Sequence, residues 1–224
     1  MRLRGLLCIL ALGALAAPCS AASIDKKYSY FDLYGKTAED LDREIAKRGP
    51  KLKQTGTRHP GATTMNFGLK TKITNDGTYC KLDRAFVTLD LRLSLPRWKN
   101  RERADGEMAI MWDTLSSDIK RHEERHGLIA RSYAIDLERT LENLPRDRDC
   151  KRLQTKAESL AKQLLKEHAE AQAQFDKVES INFEARLARL LEYRLQQIEE
   201  YQTKVRTRTL VSSLTSFGYS APVK

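Results

Sequence analysis

Beyond Asp105 the chain keeps helical periodicity almost to its end, and Pro145 is the residue that divides it. A proline inside a helix removes a backbone donor and clashes with the preceding turn, so two helices must meet there. The spacing predicts one helix from about Gly106 to Leu144 and a second from about Cys150 to Val178. A third covers roughly Phe183 to Thr209, with Leu187, Leu191, Leu195, Ile198 and Val205 along one side. A long helical hairpin therefore dominates the fold, and the residues before it must supply the surface it packs on.

Those earlier residues carry a different period. Tyr28 to Tyr34 alternates aromatic and polar residues and reads as a short strand. Thr37 is an N-cap with Asp40 three residues on, and Leu41 and Ile45 line a helix that stops at Gly49-Pro50. A loop passes through Gly56, Pro60 and Gly61. Thr64 to Thr74 and Tyr79 to Leu95 then read as two strands joined at the turn Asn75-Asp76-Gly77, with one slip in the alternation before Ile73. From Val87 the odd positions are apolar, so one face is buried, and Pro96 ends the run. The expected class is α+β: a small antiparallel sheet with an N-terminal helix, packed on a long helical hairpin, plus a C-terminal helix.

The N-terminus sets the compartment. Arg2 and Arg4 precede an apolar run from Leu6 to Ala17, followed by Ser20, Ala21 and Ala22. The run falls short of the roughly 20 residues of a membrane span, and the three parts together read as a secretory signal peptide cleaved near Ala22. Ala16-Ala17-Pro18 before Cys19 make a poor lipobox. Cys8 and Cys19 leave with the signal, so Cys80 and Cys150 remain, and in an oxidising compartment they read as one disulfide. Metal binding by these thiols is the weaker alternative, since neither has a second Cys or a His nearby. The expected organisation is a signal peptide at 1–22, an α+β domain at 23–180, a helical extension at 181–211 and a flexible tail at 212–224. The protein is expected in the periplasm or secreted, without a membrane span once the signal is removed.

Without Arg2 and Arg4 the formal net charge falls from +10 to +8. Lys and Arg are mixed with Glu and Asp along polar helix faces, and no aromatics are interleaved to stack on bases. The charge thus reads as solubility and attraction to an anionic envelope, not as a nucleic-acid site.

The chemistry concentrates in His122-Glu123-Glu124-Arg125-His126. Two histidines four residues apart share one helix face, so both rings can reach one ion, and Glu123 between them can take a proton from a water there. Leu115, Ile119, Ile129, Tyr133, Leu137, Leu141 and Leu144 form the apolar stripe of this helix, and His122 and His126 fill its gaps. Two histidines pointed at the core are costly without a shared partner, and a metal ion is one such partner. Two core histidines satisfied by carboxylates are the alternative. If the hairpin turns around Pro145-Arg146-Asp147, residues whose numbers sum to about 293 lie opposite each other. That register brings His168 to the pair as third ligand, with Asp176 and Glu179 as alternatives. Tyr133 is a candidate for stabilising an oxyanion, although its place on the stripe suits the core better.

At these residues the chain resembles a bacterial domain family of unknown function described as predicted secreted zinc-dependent proteases. The resemblance runs from about Tyr28 to Asp176. It takes in Tyr30-Phe31-Asp32, Gly35-Lys36-Thr37-Ala38 with Leu41, Gly49-Pro50, Leu95-Pro96-Arg97-Trp98, Trp112, the His122 to His126 motif, Cys80 and Cys150. It implies an α+β fold, export and a metallopeptidase activity. Where the family often carries a Thr-x-His-Gly stretch after the second helix, this chain has Glu179-Ser180-Ile181-Asn182, so His168 or an acid must substitute or the site is altered. The helix from Phe183 departs from the family pattern.

The function expected is a zinc-dependent metallopeptidase acting on peptides or proteins of the cell envelope. Zn²⁺ would sit on His122, His126 and a third ligand, with Glu123 as general base. The rival is a non-catalytic envelope protein with a structural or vestigial metal site, engaging a partner or a second copy through the stripe at 187–205.

Overall fold

The computed structural model describes residues 22–51 and 56–216. The expected signal peptide, and the expected tail beyond Ser216, lie outside the described residues. Strand β1 (Ser23–Leu33) leads to helix α1 (Ala38–Arg48), strands β2 (Ala62–Asn75) and β3 (Cys80–Trp98), and helices α2 (Gly106–Glu142), α3 (Cys150–Ile181) and α4 (Phe183–Ser216). The class is α+β, as the periodicity predicts, and no helix among the described residues is long and apolar enough to cross a membrane.

Local chemistry sets the element ends. Thr37 accepts from the Asp40 amide and the Asp40 carboxylate reaches back to the Thr37 amide, which satisfies two orphan donors at the start of α1. At the starts of α2 and α3 the cap is one-sided: Asp105 accepts from the Met108 amide, and Asp149 from the Lys151 and Arg152 amides. In the β2–β3 turn, Asp76 Oδ1 accepts from the amides of Thr78 and Tyr79, while Gly77 takes φ +91°, a left-handed value that suits glycine. The expected slip in β2 is absent, since Met65, Phe67 and Ile73 keep one parity; the bulge opposite Lys72/Ile73 adds a residue to β3, so that both Leu82 and Ala85 face inward.

The sheet order is β1-β3-β2. β2 and β3 pair antiparallel as expected, but β1 pairs with β3 in parallel, so the sheet is mixed and not purely antiparallel. The chain reverses twice between β1 and β3, once through α1 and its loop and once at the hairpin, so the two strands must run the same way. β3 also continues past Pro96 to Trp98. β2 stops pairing at Ser94, so one side of β3 is open where the proline sits.

One face of the sheet carries the main core. Leu82, Val87, Leu89, Leu91 and Leu93 of β3 pack against Ala130, Ala134, Leu137 and Leu141 of α2, and Ala157 and Ala161 of α3 complete the layer. The other face stays exposed at Thr88, Asp90 and Arg92, as an antiparallel hairpin allows. A second small cluster joins Leu33, Leu41, Trp98 and Trp112. The Cys80–Cys150 disulfide is formed, and paired backbone hydrogen bonds between Cys80 and Asp147 flank it. These contacts carry the loop after α2 out along the start of β3, so α3 begins beyond the end of α2 before running back beside it. At Asn182 the chain kinks and does not turn back, because Arg186 and then Arg194 of α4 meet Asp118 and then Asp113 of α2.

Candidate metal centre

Helix α2 presents its motif to three surroundings. Glu124 points to β1, where it accepts from Tyr28 Oη at 2.5 Å and pairs with Lys26 at 3.5 Å. Arg125 is exposed. Glu123 faces the start of β2 and is only 5% exposed, and His126 is buried at 8%. His122 is half-buried at the rim, so the face turned to the core is rotated slightly from the one the apolar stripe suggests.

His122 and His126 converge. Their Nε2 atoms stand 3.0 Å apart, and Asp176 Oδ1 of α3 lies 3.2 Å from the first and 2.9 Å from the second. Phe175 stacks on His122, with ring centroids 4.9 Å apart, and meets His126 edge to face at 5.0 Å. These three residues bring one ligand atom each within 4.8 Å of one another, and the Asp176 side chain, 56% exposed, leaves the cluster open to solvent.

The proton positions follow from the partners. Gln172 Nε2 faces the carbonyl of His126 at 3.1 Å, which can only accept, so Gln172 Oε1 is the atom facing His126 Nδ1 at 2.5 Å. His126 thus carries a proton on Nδ1, and its Nε2, which donates to Asp176 Oδ1 when protonated, is the nitrogen turned into the cluster. On His122 the carboxylate of Glu179 lies 3.6 Å from Nδ1, while Asp176 lies nearer, 3.2 Å from Nε2. Once their Nε2 protons are given up, two imidazole nitrogens and a carboxylate oxygen are a donor set for a first-row divalent cation. Three such donors about 2.0–2.1 Å from a tetrahedral ion stand roughly 3.3 Å apart, close to the separations here.

Electrostatics accord with that geometry. Burial pushes Asp176 up, but the two histidines outweigh it and hold the carboxyl well below its ordinary range. Burial pulls His126 down, while hydrogen bonds to Asp176 and Gln172 and the charges of Asp176 and Glu123 more than reverse this. Glu123 goes the other way: burial raises it, against the hydrogen bond from Thr63. Thr63 Oγ1 lies 2.8 Å from Glu123 Oε2 and 2.9 Å from the Glu123 carbonyl. Gly61 closes the other side, since a Cβ there would meet Glu123 Oε1 at 2.8 Å. The arrangement holds a buried carboxylate with raised proton affinity beside a cluster that can bind a cation.

His168 lies elsewhere. It sits one turn before Gln172, where its Nε2 is 2.8 Å from the Gln172 amide nitrogen, and its ring meets Phe67 at 5.0 Å and Tyr133 at 5.5 Å. Burial, with the charge of His126, lowers its proton affinity, so it accepts from Gln172 as a neutral ring. The residue that stands with the histidine pair is Asp176, and Tyr133 packs against His168 two turns from the motif. The difference from the expected register is about two turns of helix, because α3 starts beyond the end of α2. Gln172, Thr63, Gly61, Asp118 and Arg186 were not singled out from the sequence. Gln172 had one signal: His168, Gln172, Asp176 and Glu179 recur at three- and four-residue spacing on one face.

No curated protein and no solved structure matches the chain. A model of a bacterial family, described as bacterial protein of unknown function (DUF922), matches residues 28–184. That segment is well over half of the chain and contains β3, the motif of α2 and the ligand face of α3, and the protein therefore belongs to this family.

Proposed function

We propose that this protein is an exported zinc-dependent peptidase, with the ion held by His122 Nε2, His126 Nε2 and Asp176 Oδ1. The observation that carries the reading is the convergence of these three atoms beside the buried carboxylate of Glu123. When bound, zinc supplies a Lewis acid for a peptide carbonyl and lowers the pKa of a coordinated water. Glu123, with its proton affinity raised, is placed to accept a proton on that side and return it to the leaving amine. Thr63 and Gly61 restrict its rotamers, and Gln172 and Glu179 hold the imidazoles with Nε2 outward. Export is supported by the N-terminal pattern and by the disulfide, which suits an oxidising compartment.

The test is metal content of the mature protein, purified without a histidine tag, followed by hydrolysis of a quenched fluorescent peptide library. One zinc per chain is expected, lost in His122→Ala, His126→Ala and Asp176→Ala and kept in His168→Ala. Glu123→Gln should keep the metal and lose hydrolysis. A wild type that takes up no zinc on incubation would overturn the reading.

A second reading has its own support. Tyr193, Leu195, Tyr201, Val205 and Leu210 of α4 are exposed apolar side chains, as a helix used to engage an envelope partner or a second copy would present. Stoichiometric zinc with no hydrolysis of any peptide would favour that non-catalytic role.

A further inference from the structure

We infer that helix α4 completes the metal centre: Arg186 positions Glu179, and Glu179 in turn lies against His122 Nδ1 and keeps the ring turned with Nε2 toward the cluster. The inference rests on the metal site proposed above.

The two histidines are supported differently. His126 depends on Gln172, which lies on α3 one turn before Asp176 and is itself held by the His126 carbonyl and by His168. His122 depends on Glu179, at the end of α3, and Glu179 is not held by its own helix. Its carboxylate is bound by Arg121 of α2 and by Arg186 of α4, the latter at 3.3 Å. Arg186 also donates from Nη1 to the Glu179 carbonyl at 3.3 Å.

The Nε/Nη2 edge of the Arg186 guanidinium engages Asp118, with Nη2 shared between Asp118 and Glu179. Arg186 Nε lies 3.1 Å from Oδ1 and Nη2 lies 3.2 Å from Oδ2, while Arg121 Nε donates to Oδ1 at 2.8 Å. Asp118 is one turn before His122 on α2, and its side chain is 3% exposed. A planar fork is the one cationic group that can bridge two carboxylates on different helices at fixed angles, which a lysine ammonium cannot do. Arg186 thus ties three helices at the point where α3 kinks into α4. Losing it would leave Arg121 to hold both Asp118 and Glu179, and would loosen Glu179 beside His122.

The family match ends at residue 184, two positions before Arg186. Glu179 and Arg121 lie within the family segment, and the hold that Arg186 adds on Glu179 comes from beyond it. Docking of α4 and metal affinity are then linked, so whatever lifts α4 from α2 weakens the site, and the metal in turn tightens α4.

The experiment measures zinc affinity of the full mature chain by competition with a chromogenic chelator, in wild type, Glu179→Gln, Arg186→Met and the double variant. Arg189→Met, an exposed arginine one turn on, is the control. Glu179→Gln should weaken zinc about 10–100-fold, the range for loss of a residue that orients a ligand. Arg186→Met should weaken it about 3–10-fold, and the double variant should be no weaker than Glu179→Gln alone, because both act on one chain of contacts. Arg186→Lys keeps the charge Asp118 needs and replaces the Met variant if that does not fold; it should weaken zinc by about 3-fold or more. The ring nitrogens and tautomers of the histidines, read by ¹⁵N NMR in the metal-free protein, give a second readout. Arg186→Met should shift the ¹⁵N signals of His122 and leave those of His126 unchanged. Zinc affinity within twofold of wild type in the folded Arg186 variant, or equal losses at both histidines, would overturn the inference. If the wild type binds no zinc, the peptidase reading fails, and the NMR measurement still decides whether Arg186 acts on His122.

Discussion

Gly61→Ala tests the packing that confines Glu123. The added Cβ would lie 2.8 Å from Glu123 Oε1, 2.9 Å from Ile119 Cγ2 and 3.0 Å from Glu123 Cγ, whereas ordinary contacts begin at 3.4 Å. Both neighbours must retreat by about half an ångström, and neither can do so freely. Ile119 is a buried, β-branched side chain on a helix, with its χ1 largely fixed. Glu123 can move only by loosening its contact with Thr63. Overpacking of this kind costs about 1–3 kcal/mol, and a weakened buried hydrogen bond adds about 1 kcal/mol. The reduced freedom of the unfolded chain returns about 0.4–1 kcal/mol. The net expectation is a loss of about 2 kcal/mol, or about 4–8 °C in Tm for a chain of this size. Gly106→Ala is the control, since nothing lies within 4 Å of its Cβ at the first position of α2, and it should be neutral or slightly stabilising. Urea unfolding by circular dichroism measures both. A Gly61→Ala variant as stable as Gly106→Ala would mean that the backbone at Gly61 yields easily, and the argument that it confines Glu123 would fall.

Thr63→Val removes the hydroxyl that lowers Glu123. A carboxyl raised on folding contributes stability at low pH and loses it as pH rises, so the Val variant of the metal-free protein should lose about 1–3 kcal/mol at pH 8 and less at pH 5; equal losses at both pH values would contradict this. Replacing both Cys80 and Cys150 by Ser opens a loop with a sequence separation of 70 and should cost about 4 kcal/mol in urea unfolding, whereas a cost under about 1 kcal/mol would show that the unfolded chain is not what the bridge restrains. Asp147 is held far below its ordinary value by Arg152, Lys156 and the Asp149 amide. Its contribution is therefore complete above about pH 4 and is lost as pH falls further. Asp147→Asn should flatten the acid limb of stability below about pH 4, and an unchanged limb would refute the assignment.

Elements whose signals are local were legible in the sequence. The Thr37–Asp40 capping box, the Asn75-Asp76-Gly77 turn and the stop at Pro145 each depend on a few neighbouring residues, and each stands where it was read. So does the approach of His122 to His126, which needs only the helical repeat. The partner of β1 was not legible, because alternation marks which face of a strand is buried and is silent about which edge of a hairpin another strand will join.

The third member of the cluster shows the division most clearly. His168, Asp176 and Glu179 all lie on one face of α3, and the sequence by itself limits the choice to that face. Which of them meets the histidine pair depends on how far α3 has slid along α2. That offset comes from the Cys80–Asp147 pairing and the Cys80–Cys150 bridge, contacts between segments about 70 residues apart. Helical periodicity repeats every 3.6 residues, so a slide of two turns leaves every face intact and changes only which residue stands opposite which. The sequence therefore determined the helices, their inward faces and the two-histidine motif. The tertiary structure alone decided that Asp176 completes the cluster and that Arg186 reaches Glu179.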